Sequence, residues 1–177
     1  MDIDIINVDD DLEAVALRAV LECWNCTVAL HHIATAQQLV NVLGGNTTLS
    51  QHIVLMCHGV EQGLALPELA PEVAAQQPYQ IALSPADLKE FLRLPECLVV
   101  NTGCLMGRSE YASAFLQAGC HSYIGPVEYP EGSSSLFYVL HFFYGLNVKN
   151  SSVQIAHQKA SAHDAETQMF QLHQQAG

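Results

Sequence analysis

The chain has 177 residues, half of them hydrophobic and 14% charged, which excludes disorder as the main state and is enough to bury the core of a single domain over residues 1–177. Six basic against 18 acidic residues leave a net charge of −12, which argues against nucleic acid and membrane as partners, because both are bound through clustered Lys and Arg. The acidic amino terminus carries no targeting signal, no apolar run reaches membrane-spanning length, and the six cysteines sit mostly inside apolar patterns; together these predict a soluble, cytoplasmic protein with reduced thiols.

In chain order, Asp2 to Val8 reads as a first strand. Asp9-Asp10-Asp11 then starts a helix, with acids at the positive end of its dipole. Leu12, Val15, Ala16, Ala19, Val20 and Cys23 recur at helical spacing to about residue 24. Thr27 to Ile33 is the second strand, and Ala36 to Leu43 a short helix stopped by Gly44-Gly45. A strand followed by three aspartates and a helix is similar to the opening of a receiver domain. That family needs an aspartate at the end of strand three, where this chain has Met56-Cys57-His58-Gly59, so a receiver-like signalling module ranks behind the readings below. Cys23-Trp24-Asn25-Cys26 has the spacing of a redox or half-zinc motif. It falls at a helix end, where no dipole activates the first thiol, and no second pair stands at metal-ligand spacing; packing is the expectation, with no metal.

Two apolar runs organise the rest. Ile53-Val54-Leu55-Met56-Cys57 is closed by His58-Gly59, and Cys97-Leu98-Val99-Val100 by Asn101-Thr102-Gly103-Cys104. Both read as buried strands of a parallel sheet, whose ligands bind beyond the carboxyl ends. Residues 60–82 lack periodicity and form a long loop, in part a hairpin or lid, at that edge. Ser84-Pro85 opens a helix to about Leu94, with a capping serine and proline at the first position. Gly107-Arg108-Ser109 begins another helix, ended by Gly119, and Cys120 to Gly125 is a fifth strand. A loop containing Glu128 and Glu131 leads to a buried helix over Leu136–Leu146, and a last polar helix runs from Ser151 to about Gln174. This alternation predicts an α/β fold, a mostly parallel central sheet with helices on both faces.

A strand ending in His-Gly, followed by a strand ending in cysteine, resembles the caspase-like cysteine peptidases. Leu83 to Leu88, Ala114 to Gly119, Cys120 to Gly125, Phe143-Tyr144-Gly145-Leu146 and Ala156 to Ala160 extend the resemblance to their CHAT branch over residues 52–160. The resemblance implies a three-layer sandwich and a cofactor-free reaction on a peptide or protein substrate, under a regulatory protein partner. It implies Cys104 as nucleophile, His58 as the proton-transferring imidazole, and the backbone N–H groups of Gly59 and Cys104 as the oxyanion hole. An imidazolium at His58 and the helix starting near Gly107 would both raise the thiolate share. Glu128 and Glu131 are candidates for binding a basic P1 side chain. Three features depart from the family pattern. No acid precedes Cys104, Pro126-Val127-Glu128-Tyr129 replaces the tryptophan and aspartate after the fifth strand, and no helical sensor domain is attached. An inactive caspase-like interaction or scaffold domain is therefore the alternative.

Overall fold

The fold is taken from a computed structural model, which describes residues 1–9 and 11–175; Asp10, within the expected helix start, lies outside them. In chain order the elements are β1 (Asp2–Asn7), α1 (Asp11–Cys23), β2 (Thr27–His32), α2 (Ala36–Asn41), β3 (His52–Met56), β4 (Gly59–Val60), β5 (Gly63–Ala65), α3 (Pro71–Ala74), β6 (Ala82–Leu83), α4 (Pro85–Phe91), β7 (Leu98–Asn101), α5 (Ser109–Gln117), β8 (Ser122–Pro126), α6 (Gly132–Phe143), α7 (Val153–Ser161) and β9 (Phe170–Gln174). Among the described residues the central sheet has six strands in the order β2-β1-β3-β7-β8-β9. The first five are mutually parallel, and β9 adds antiparallel to β8. The parallel part has the doubly wound order that receivers also use; the antiparallel β9 and a separate three-stranded sheet, β4-β5-β6, distinguish this fold.

Side chains alternate across the strands and feed two cores. Ile53, Leu55, Cys57 and Val99 face α2, α4 and α5, whereas Val54, Met56, Leu98 and Val100 face α1, α6 and α7. From Ile53 to Met56 every residue is fully buried, which is why the run is apolar throughout. Each such side chain contributes about 1.5–3 kcal/mol of transfer free energy. Ser84 and Asp87 form a reciprocal capping box on α4, and Gly119 ends α5 at φ 108°.

Four expectations are corrected. The last helix stops at Ser161, and Phe170–Gln174 is a strand. Asp164 Oδ1 accepts from the Thr167 N–H at 2.8 Å and its hydroxyl at 2.9 Å, closing a turn that breaks the helical path. The hairpin expected within residues 60–82 is present as β4–β5, and β6 extends it to the small three-stranded sheet, with a single helical turn between. The helix after Cys104 begins at Ser109, behind a turn over residues 104–107. In α1 the fully buried residues are Ala14, Leu17 and Leu21, while Leu12, Val15, Ala16, Ala19 and Cys23 are exposed. Of the C-x-x-C pair only Cys26 packs into the core.

Candidate active site

Strands β3 and β7 are direct neighbours, paired from His52 with Leu98 to Leu55 with Asn101. Carried forward, that register sets Cys57 level with Gly103, so His58 and Cys104 leave the sheet together at its carboxyl edge. Cys57 belongs to the core beneath α4 and α5; alternation turns His58 to the α1/α6 side. A cavity of about 150 Å³ lies there, walled by His58, Cys104, Thr102, Glu13 of α1, and Gly132 and Ser135 of α6. His58 is exposed and Cys104 half-buried.

The segment carrying Cys104 is clamped on several sides. The Asn101 side-chain oxygen accepts the Gly103 N–H at 2.8 Å and the Cys57 thiol at 3.3 Å. Leu105 adopts a φ of 67° and donates its N–H to Glu128 O at 3.0 Å, and the Gly107 N–H donates to Pro126 O at 2.8 Å. The Tyr123 hydroxyl donates to Met106 O at 2.8 Å. On the histidine side, a Cβ at Gly59 would lie 1.7 Å from Cys104 O and 2.9 Å from Cys104 N. Only glycine fits, and the two backbones touch there.

The direction of the Gly59 N–H follows from the strand pairing. Ala65 donates to His58 O at 2.9 Å, which makes His58 and Ala65 a hydrogen-bonded pair. Gly59, opposite Leu64, is then a non-hydrogen-bonded position, because the two kinds alternate in an antiparallel ladder. Its N–H faces away from β5, as an oxyanion donor would require.

Burial pushes the Cys104 thiol up, and its own backbone N–H pulls it the other way. Gly132, at the amino end of α6, forms part of the same wall. At the rim, Tyr129 donates its hydroxyl to Glu61 Oε1 at 2.6 Å, and Arg108 stands 3.5 Å from Glu61 Oε2. The Tyr129 hydrogen bond holds the Glu61 carboxyl below its usual range, against desolvation and with smaller help from Arg108.

Of the residues expected at the site, His58, Gly59 and Cys104 come together. Glu128 and Glu131 are exposed on their loop; the wall takes Pro130 and Gly132 from that stretch, and the Glu131 N–H donates to Glu166 Oε2 at 3.0 Å. The sequence reading missed Asn101, Glu13 and the Glu61–Tyr129 tie. Asn101 carried a signal, as a polar residue closing an apolar strand before glycine. Glu13 and Tyr129 reach the edge from distant elements, and no local pattern announces them.

No protein-family model matches the chain, and no curated protein matches it. Among solved structures it is similar to the Saccharomyces cerevisiae separase–securin complex, in crystal structures at 3.0 and 2.6 Å resolution. The TM-scores are 0.61 and 0.58 at 12% identity, over 98% of this chain. The chain spans only 11% and 12% of the length of those matched chains. At that identity the likeness is one of fold, and the fold is caspase-like α/β, with a mostly parallel six-stranded sheet and helices on both faces.

Proposed function

We propose that this chain is a caspase-like, CHAT-type cysteine endopeptidase with a His58–Cys104 dyad. One observation carries the reading: both side chains line one cavity at the carboxyl ends of adjacent parallel strands. In the proposed reaction His58 takes the Cys104 thiol proton, and the sulfur attacks the scissile carbonyl carbon. The oxyanion is received by the N–H groups of Gly59 and Cys104, and a donor of this kind contributes about 3 kcal/mol to the barrier. Collapse expels the amine with the proton from His58, leaving a thioester. Water, deprotonated by the same imidazole, releases the acid and restores the thiol. The side chains suffice without a cofactor, and the thiol needs a reducing compartment such as the cytoplasm. The similar separase structures are complexes with securin, which supports a regulatory protein partner here as well.

The upward push on the Cys104 thiol favours a second reading, a caspase-like scaffold without catalysis. A peptide library incubated with the pure protein, with Cys104→Ala and with His58→Ala decides between them. The peptidase reading expects cleavage by the unmodified chain only; cleavage by none of the three, or equal cleavage by all three, overturns it.

A further inference from the structure

A second cavity, of about 430 Å³, opens at the same carboxyl edge of the sheet. It lies beyond β1 and β2, where Asn7 and His32 are the last residues of their strands, and the stretch between β5 and α3 adds Pro67, Glu68 and Leu69 to its lining. Ligands of open α/β sheets bind beyond that edge, and the volume falls in the ordinary range of ligand sites, roughly 300–1,000 Å³. Ile33, Pro67 and Leu69 make the apolar part of the lining. Asn7, only 1% exposed, supplies buried polar surface, and the exposed Asp9 and Glu68 supply negative charge. Asn7 donates its amide N–H to His32 Nδ1 at 3.3 Å. That atom accepts only while it carries no proton, so the imidazole adds no positive charge there. Among the described residues no Lys or Arg lines the cavity.

The lining excludes two classes of occupant. An anion would meet two carboxylates with no cation to offset them, and a wholly apolar group would strip water from those carboxylates without pairing them. A cation on a methylene stem suits both parts, the stem against the apolar wall and the head at the acids, which is how Lys and Arg side chains divide themselves. We propose that this cavity binds a Lys or Arg side chain of an extended peptide. The net charge of −12 draws such a ligand in. β1 pairs directly with β3, whose end leads to His58. At about 4.8 Å between neighbouring strands, the ends of β1 and β2 stand on the order of 10–14 Å from the end of β7, a span of about three or four extended residues. A peptide held at Cys104 therefore reaches the cavity. The choice of a peptide over a free amine rests on the proposed activity; the choice of head and stem rests on the lining alone.

Nuclear magnetic resonance titration of acetyl-Gly-Gly-Arg-Gly-Gly-amide into the isotope-labelled full chain carrying Cys104→Ala tests this. The Asn7 side-chain amide and the Ile33 and Leu69 backbone amides should shift. The citrulline peptide, which keeps the shape and loses the charge, should leave them in place. Asp9→Asn and Glu68→Gln should each raise the dissociation constant about two- to fivefold, the contribution of a solvated ion pair. Glu96→Gln removes the same charge from an exposed position before β7, at the other edge of the sheet, and should change nothing. n-Butylguanidinium, the head and stem without a backbone, should bind more weakly than the peptide. Absence of these shifts, equal shifts with citrulline, an affinity that neither Asp9→Asn nor Glu68→Gln lowers, an equal loss in Glu96→Gln, or butylguanidinium binding as tightly as the peptide overturns the proposal. Binding without cleavage by the unmodified chain removes the peptidase reading and leaves this site; cleavage without binding does the reverse.

Discussion

A β-carbon placed on Gly59 would stand 1.7 Å from the carbonyl oxygen of Cys104. The obstacle is backbone, so the added methyl cannot be accommodated by a side-chain rotation. Gly59→Ala must push the Cys104 turn away, and overpacking of this kind costs about 1–3 kcal/mol or more. A drop of that size in denaturation stability is expected, with loss of any peptide cleavage. The neighbouring Val60→Ala, at a surface position, should change stability by less than about 0.5 kcal/mol.

Asn101 is fully buried and holds the turn through Gly103 and Cys57. Asn101→Ala leaves the Gly103 N–H without its acceptor, an omission that costs about 1–3 kcal/mol. Urea denaturation should register that loss. Cleavage should fall further than in a core variant of equal stability, because Cys104 is displaced.

The Tyr129–Glu61 tie joins the loop after β8, which supplies Pro130 to the cavity wall, to the β4–β5 turn. Pro130, next to Tyr129, lines the cavity that holds Cys104, so parting of the two segments would widen the approach to the thiol. Tyr129→Phe and Glu61→Ala should each speed alkylation of Cys104 severalfold at neutral pH. Because the Glu61 carboxyl is held low, the tie is present at neutral pH and is lost only as pH falls through that lowered value. Unchanged alkylation rates in both variants would remove the tie from the account.

Thiol reactivity separates access from activation. Cys23 is exposed and should alkylate readily by access alone. Cys104 is pushed up by burial, so in the free protein its rate should rise with pH through the range above that of an ordinary thiol. Cys120, buried and pushed up much further, should stay unlabelled until the protein unfolds. A thiol raised in the folded state stabilises the fold below its unfolded pKa of about 8.5, and that contribution is lost as pH rises above it. Stability should therefore decline on the alkaline side, and Cys120→Ala should flatten the decline.

The sheet, and the meeting of His58 and Cys104 at its carboxyl edge, were legible because their signals are local. An unbroken apolar run must be buried on both faces, and residues just past its end must emerge at the ligand edge, as His58 and Cys104 do. The core face of α1 was not legible, because a helix with apolar residues on opposite sides gives periodicity no preferred direction. Phe170 and Leu172 carry the alternation of a strand, but the Gln- and Ala-rich stretch before them continues a helical pattern. Only the Asp164–Thr167 turn separates the two. Gly59 was placed by the motif; that it must be glycine follows from Cys104, 45 residues away, whose backbone occupies the space.

The central claim is that Cys104 and His58 act together on a peptide carbonyl. Intact-mass analysis after exposure to a panel of peptidyl acyloxymethyl ketones tests it most directly, because the adduct forms only on an activated thiol that also holds the peptide. The account predicts a single adduct on Cys104, absent from His58→Ala although iodoacetamide still reaches Cys104 in that variant. An adduct on Cys23 alone, or one on Cys104 that forms equally fast without His58, would contradict it.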